Sequence, residues 1–208
     1  MPRGIEPVAI AIMAKAPVPG LAKTRLIPEL GAHGAAVLQE RLIERAVETA
    51  IAAAIGPVTL WVTPDATHVL FRELVARFAL TIKRQPEGDL GARMLAALAA
   101  ANGPALVIGS DCPALDAGRL RAAAEALQAA DIVLVPVEDG GYCLIGARKP
   151  LPEIFSAMPW STPRVMQETR ARLVALGVNF RELPPLWDVD RPADLERLQA
   201  PEFSALLA

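Results

Sequence analysis

The sequence predicts an α/β domain, a three-layer sandwich in which helices cover both faces of a mostly parallel, mixed sheet. Three observations predict it. Short β-capable apolar runs alternate along the chain with amphipathic helical stretches. The first run, "VAIAIMA" from Val8 to Ala14, is apolar at every position, as a strand covered on both faces should be. The 208 residues, 53% of them hydrophobic, suffice for one full core, and no repeat, low-complexity tract or linker divides them. Residues 1–208 are therefore expected to form a single domain.

The elements follow in order. After the first strand comes a loop, "KAPVPGLAKTRLIPELG", and then a long helix over 34–55, with Ala35, Leu38, Leu42, Ala46 and Ala50 at helical spacing. "VTLWVT" (58–63) is the second strand, 66–77 a short helix and "LTIKRQ" (80–85) the third strand. Helix 90–101, strand 104–110, helix 117–130 and strand 131–137 continue the alternation. "YCLIGA" (142–147) follows its predecessor too closely for a parallel crossover, so this pair is expected to be antiparallel or separated within the sheet. A helix over 163–176 with Pro163 in its first turn, a strand over 178–183 and a closing helix over 191–199 complete the chain.

Composition excludes some functions. The net charge is -2 and there is no basic stripe, which argues against a nucleic-acid partner. No apolar run is long enough to span a bilayer, and the start of the chain does not read as a signal peptide. Cys112 and Cys143 form no C-x-x-C motif, so a reducing, cytoplasmic setting is expected. Oligomeric state is left open.

In open α/β sheets, ligands bind outside the carboxyl ends of the strands, so the segments that follow each strand carry the functional reading. The first, "AKAPVPGLAKTRL", opens with Ala14 and Lys15. Pro17 and Pro19 stiffen it, Gly20 permits a turn or a close ligand approach, and Lys23 and Arg25 follow. A point charge and a bidentate fork together suit a di- or triphosphate. The loop is neither a P-loop, because Leu21 and Ala22 separate Gly20 from Lys23, nor a G-x-G-x-x-G dinucleotide fingerprint. In "RQPEGDLGARM", Gly88 and Gly91 allow a flat ligand such as a nucleobase to approach the backbone, while Asp89 equally suits a helix N-cap.

The carboxylates come next. Asp111, in "LVIGSDCPAL", stands just past a strand end, where it can hold Mg2+ or Mn2+ against phosphates. Asp188 is the second candidate metal ligand, whereas Asp190 sits where it would cap the last helix. In "VEDGGYCLIG", Glu138 and Asp139 are candidate bases or hydroxyl ligands, and Gly140 and Gly141 could offer N–H groups to substrate, although D-G is also a common hairpin turn. In "MPWSTPRV", Trp160 and Arg164 are candidate substrate contacts, with Trp160 also suited to a hydrophobic lid. Trp187 reads as loop packing.

Taken together, "AKAPVPGLAKTRL", "PEGDLGARM", "GSDCPAL" with "EDGGYCLIG", and "WSTPRV" with "WDVDRPADL" resemble the bacterial glycosyltransferase-like family called radical-SAM/selenodomain-associated transferase 1. The likeness runs from about residue 8 to residue 199. It implies the GT-A, or nucleotide-diphospho-sugar transferase, fold. By that resemblance Gly20, Lys23 and Arg25 match a triphosphate-binding loop, Gly88 and Gly91 a base-contacting loop, and Asp111 a magnesium ligand. "GSDCP" departs from the D-x-D spelling of many glycosyltransferases. The expected activity is metal-dependent transfer from a nucleotide-activated donor to a small-molecule acceptor. Glycosyl transfer from a nucleotide sugar is the leading form. The alternatives are nucleotidylyl transfer from an NTP to a phosphorylated small molecule, with release of pyrophosphate, and nucleotide binding without turnover.

Overall fold

The computed structural model describes residues 6–207. Seven strands form one sheet: β1 (Ala9–Lys15), β2 (Val58–Thr63), β3 (Thr81–Arg84), β4 (Ala105–Gly109), β5 (Ile132–Pro136), β6 (Tyr142–Ala147) and β7 (Phe180–Glu182). Their order is β3-β2-β1-β4-β6-β5-β7. All neighbours are parallel except β6, which is antiparallel to both β4 and β5. The five residues between β5 and β6 leave no room for a crossover helix, and of the two arrangements the short connection allowed, antiparallel or separated, the sheet takes the antiparallel one.

Helices α1 (Ile27–Ala53), α2 (Val69–Phe78) and α4 (Ala117–Ala126) cover one face of the sheet, and α3 (Leu90–Ala99) and α5 (Val165–Ala175) the other. The period of two along β1 divides it between the two cores. Ile10, Ile12 and Ala14 join Ile43, Val47, Phe71 and Leu120 on the α1 side, and Ala11 joins Met94, Leu134 and Ile145 on the α3 side. Each fully buried Ile, Leu or Phe in these layers contributes about 1.5–3 kcal/mol. A third, smaller cluster joins Leu26 and Leu38 of the first loop and α1 to Val189, Leu198 and Leu206. It fastens the end of the chain beside the first loop.

The helix boundaries depart from the pattern where backbone geometry intervenes. The first helix starts at Ile27 rather than at 34, but Gly31, with φ 69°, interrupts it, so the continuous stretch begins close to the predicted start. Pro163 precedes α5 instead of lying in its first turn, since Arg164 is the N-cap. The closing helix, Pro192–Gln199, is a 3-10 helix, not an α-helix. Among the described residues no helix is long and apolar enough to cross a membrane.

Candidate active site

Lys23 joins three segments that are remote in sequence. The first loop leaves β1 and turns tightly, with Leu21 N–H and Ala22 N–H both donating to Val18 O at 3.0 Å. Gly20 takes φ 81° with open space around it, so its use here is the turn. Lys23 is itself left-handed, with φ 46°, and this aims its side chain inward. The side chain is only 4% exposed; its Nζ donates to Val189 O at 2.6 Å and lies 2.7 Å from Asp111 Oδ1. Val189 N–H in turn donates to Asp111 O at 2.8 Å. The buried ammonium has an ionic partner and a carbonyl acceptor, the arrangement a desolvated cation requires.

Asp111 is oriented from behind. Gln39, a buried amide on α1, donates to Ser110 Oγ at 3.3 Å, and Ser110 Oγ donates to Asp111 Oδ1 at 3.3 Å. Gln39 also reaches Lys15 O at 3.4 Å, and Gln85 donates to Ala14 O at 3.2 Å. The sequence reading missed both glutamines. The signal for Gln39 was a polar residue at spacing four between Ala35 and Ile43 in the apolar stripe of α1. Ala14 and Lys15 thus serve through their carbonyls as anchor points for these amides.

A cavity of about 670 Å³ opens at the carboxyl ends of β1, β4 and β5, where the topology predicts a ligand. Arg25, Asp111, Glu138, Asp139, Gly141, Trp160 and Asp188 line it, as do Arg191 and Arg197, which the sequence reading did not single out. Arg25 pairs with Asp190, Glu138 with Arg197 at 2.8 Å, and Arg197 lies over the Trp187 ring, 5.3 Å from its centroid. Asp190 is therefore the partner of Arg25 and not a helix cap. The capping carboxylate is Asp194, which accepts from the N–H groups of Asp190 and Arg191 at 2.9 and 2.6 Å. The Asp188 carboxyl is pushed up to about 6 by burial, and further by the charges of Asp139 and Asp111 beside it.

Several expected contacts lie elsewhere. Arg164 does not line the cavity and pairs with Glu168 one turn along α5, at 2.6 Å. The N–H groups of Gly140 and Gly141 are not offered to a substrate. Gly140 N–H donates to Val137 O at 3.1 Å, and Gly141 N–H to Asp139 Oδ1 at 2.8 Å, which close the D-G turn. Gly140 has φ 92°, and a Cβ there would meet Pro163 O at 2.2 Å, so only glycine lets this turn seat on the start of α5. Asp89 is the N-cap of α3, accepting from Ala92 N–H at 2.8 Å. Gly88 sits at φ 113° with its carbonyl held by Arg93 Nε at 3.0 Å. Gly91 is buried under Trp160. A Cβ on it would come within 2.7 Å of Trp160 Cζ2, so its smallness serves that indole and not a nucleobase.

The residues present fit a divalent cation. The Asp111 and Asp188 carboxylates both line the cavity, and the Asp188 carboxyl, raised first by burial, also feels the charges of Asp139 and Asp111. Among the described residues no three His, Cys, Asp or Glu side chains are grouped to hold an ion unaided. Asp111 and Asp188 would therefore share it with ligand phosphates, the usual manner of Mg2+.

A family model described as an uncharacterized protein conserved in bacteria, DUF2064, matches residues 46–162, more than half of the chain. No curated protein matches the sequence. Among solved structures, a candidate nucleotide-diphospho-sugar transferase of Desulfovibrio desulfuricans G20 is similar with a TM-score of 0.82 and 25% identity, over 96% of this chain and 93% of that one. A nucleotidyl transferase of Methanothermobacter gives 0.65 and 16%, over 96% and 99%. Rv0371c of Mycobacterium tuberculosis H37Rv, in complex with manganese, gives 0.52 and 18%, over 92% and 97%. These likenesses establish a GT-A-like fold of the nucleotidyltransferase and nucleotide-diphospho-sugar transferase superfamily.

Proposed function

Because the chain belongs to the bacterial family DUF2064, whose description assigns no reaction, we propose from the site itself that it transfers a nucleotidyl group from an NTP to a phosphorylated small molecule. The broader class, a nucleotide-using transferase of this superfamily, rests on the fold. The observation that carries the narrower reading is that Arg25, Asp111 and Asp188 line one cavity, with Lys23 buried behind Asp111 and paired to it. That set matches a metal-bound triphosphate better than it matches a neutral sugar. An oxygen of the acceptor phosphate forms a bond to the α-phosphorus, the bond from that phosphorus to the α–β bridging oxygen breaks, and pyrophosphate leaves with the electron pair. The acceptor is already ionised, so no protein base is needed. This agrees with Glu138 and Asp139, which are engaged with Arg197 and with Gly141 N–H.

A bound Mg2+ or Mn2+ would neutralise phosphate charge and stabilise the leaving group. The chain's own residues do the positioning. Lys23 holds Asp111 in place, Arg25 offers a fork to a phosphate once it releases Asp190, and the Gln39–Ser110 relay fixes the carboxylate's direction. The divalent ion, the candidate sites Gly20, Lys23, Arg25, Gly88 and Asp111, the narrower family resemblance carried by the motifs and a cytoplasmic setting all belong to this proposal.

Glycosyl transfer is the second reading. One observation favours it, the close similarity to the Desulfovibrio protein. Product analysis separates the two. Incubate the protein and Mg2+ or Mn2+ with each NTP and a panel of phosphorylated acceptors, and in parallel with nucleotide sugars. Pyrophosphate release coupled to acceptor supports nucleotidylyl transfer; nucleoside diphosphate released only from nucleotide sugars overturns it.

A further inference from the structure

The cavity reaches across the carboxyl edge of the sheet and joins two unlike walls. One belongs to the side of the first loop and the closing segment and carries Arg25, Asp111, Asp188 and Arg191. The other belongs to the α3–α5 face. Met94 comes from the core on that side, and Met13, Tyr142 and Trp160 pack against it. Leu90, at the mouth, is 45% exposed although it is a large apolar side chain.

Beyond the Ser161 hydroxyl, this second wall has little to offer a polyhydroxylated ligand. Thr162 Oγ1 already donates to Pro159 O at 2.7 Å. The Trp160 indole N–H is shielded from solvent and meets no acceptor among the described residues. The fold nevertheless keeps the ring in place by packing. Gly91 leaves room beneath Cζ2, and Tyr142 meets the indole edge-on at 6.5 Å between centroids. A buried donor left without a partner is an uncommon expense, and what it secures here is a flat apolar surface lining the cavity. Arg191, which lines the same cavity, has no ion-pair partner among the described residues, unlike Arg25 and Arg197.

From this juxtaposition we infer that the acceptor is an amphiphilic small molecule, with a phosphate head set against Arg191 and a flat or branched hydrocarbon body laid on Trp160, Tyr142 and Met94. Its role as acceptor rests on nucleotidylyl transfer being the reaction; the binding preference does not. Apolar contact with such a wall favours a hydrocarbon body over a polyol of equal charge, because the polyol loses water hydrogen bonds that the wall cannot replace.

The test compares phenyl phosphate with glycerol 1-phosphate on the full chain by calorimetry, without nucleotide. Phenyl phosphate should bind at least ~10-fold more tightly, the ratio expected from burying part of one ring. Trp160→Ala should abolish the preference, Trp160→Phe should retain it, and Arg191→Ala should weaken both ligands equally. Leu90→Ser changes only an exposed side chain and should reduce the preference without threatening the fold, so it decides the matter should Trp160→Ala fail to fold. Equal binding of the two phosphates, or a preference that survives Leu90→Ser and any folded Trp160→Ala protein, overturns the inference. A retained preference in a protein that releases no pyrophosphate from any NTP would remove the proposed reaction and leave this inference standing. Nucleotidylyl transfer without the preference would do the reverse.

Discussion

On the wall of the cavity that carries Arg25 and Asp111, these two side chains are already engaged with charged partners, whereas on the wall that carries Met94, Tyr142 and Trp160 the ring is held by packing. Lys23 holds Asp111, Asp190 holds Arg25, and Arg197 holds Glu138. A phosphate ligand must exchange these pairs. An incoming divalent ion competes with the Lys23 ammonium for Asp111, and an incoming phosphate competes with Asp190 for Arg25. The apolar wall needs no such exchange, because Gly91 and Phe155 have already shaped the seat of Trp160. The exposed pairs of Arg25 and Arg197 can therefore change partners at modest cost, while a packed ring serves one geometry.

Substitutions at the two walls should consequently fail in different ways. The largest effect is expected from Asp111→Asn or Asp188→Asn. Each should lower metal-dependent turnover by roughly 10²–10³ while leaving the fold intact, as removal of an electrostatic stabiliser does. Pyrophosphate release against metal concentration is the measurement, and unchanged turnover in both variants would break the contrast between the walls. Next come Lys23→Ala and Arg25→Ala. Loss of the charge-assisted phosphate contact of Arg25 should cost about 1.5–3 kcal/mol in NTP affinity, roughly 10- to 150-fold, whereas Lys23→Ala should act through a displaced Asp111. Lys23→Ala should also lower the melting temperature, since Lys23 is buried and ties the first loop to Val189, whereas Arg25→Ala, on an exposed pair, should not.

Gly91→Ala tests the other wall. The new methyl group must displace Trp160 or Phe155, and overpacking of this kind costs about 1–3 kcal/mol. Thermal unfolding reads the loss. A melting temperature equal to that of the native chain would show that the seat is loose.

The pH dependence of stability sharpens the comparison further, because Asp188 has its pKa raised on folding. Between its ordinary value, roughly 4, and about 6, the folded chain holds a proton that the unfolded chain has released. Its contribution is therefore fully present below that window and is lost as pH rises through it. Asp188→Asn should flatten denaturation midpoints over this window relative to the native chain; an unchanged profile counts against the raised carboxyl. The smallest effect is expected at Arg164. Its exposed pair with Glu168 is worth about 0.3–0.5 kcal/mol, so Arg164→Ala should leave stability, NTP affinity and turnover nearly as they were.

Comparison of these residues shows which kinds of signal a sequence carries. The place of Asp111 on the cavity wall was legible because it stands two residues past β4, and that of Arg25 because it belongs to the loop that follows β1. Asp89 was legible as a cap because its hydrogen bond to Ala92 N–H is local. Gly91 looked like part of a base-binding loop, and nothing within the motif pointed to Trp160, which lies 69 positions further along the chain. Arg191 and Arg197 were missed because they belong to a helical turn read only for its boundaries.

The sequence by itself determined the alternation of strands and helices, the exclusion of a parallel β5–β6 pair, the D-G turn and the cluster of loops at one edge. Periodicity, short connections and local hydrogen bonds are properties of neighbouring residues and survive without the fold. Only the tertiary structure decided that Lys23 pairs with Asp111, that Arg25 takes Asp190, that Gly140 seats on Pro163 and that Trp160 stands as a bare apolar wall. Each of these depends on which long-range partner comes within a few ångströms. Burial then sets the consequence, because the same charge or N–H group that water would satisfy must find its partner inside the protein.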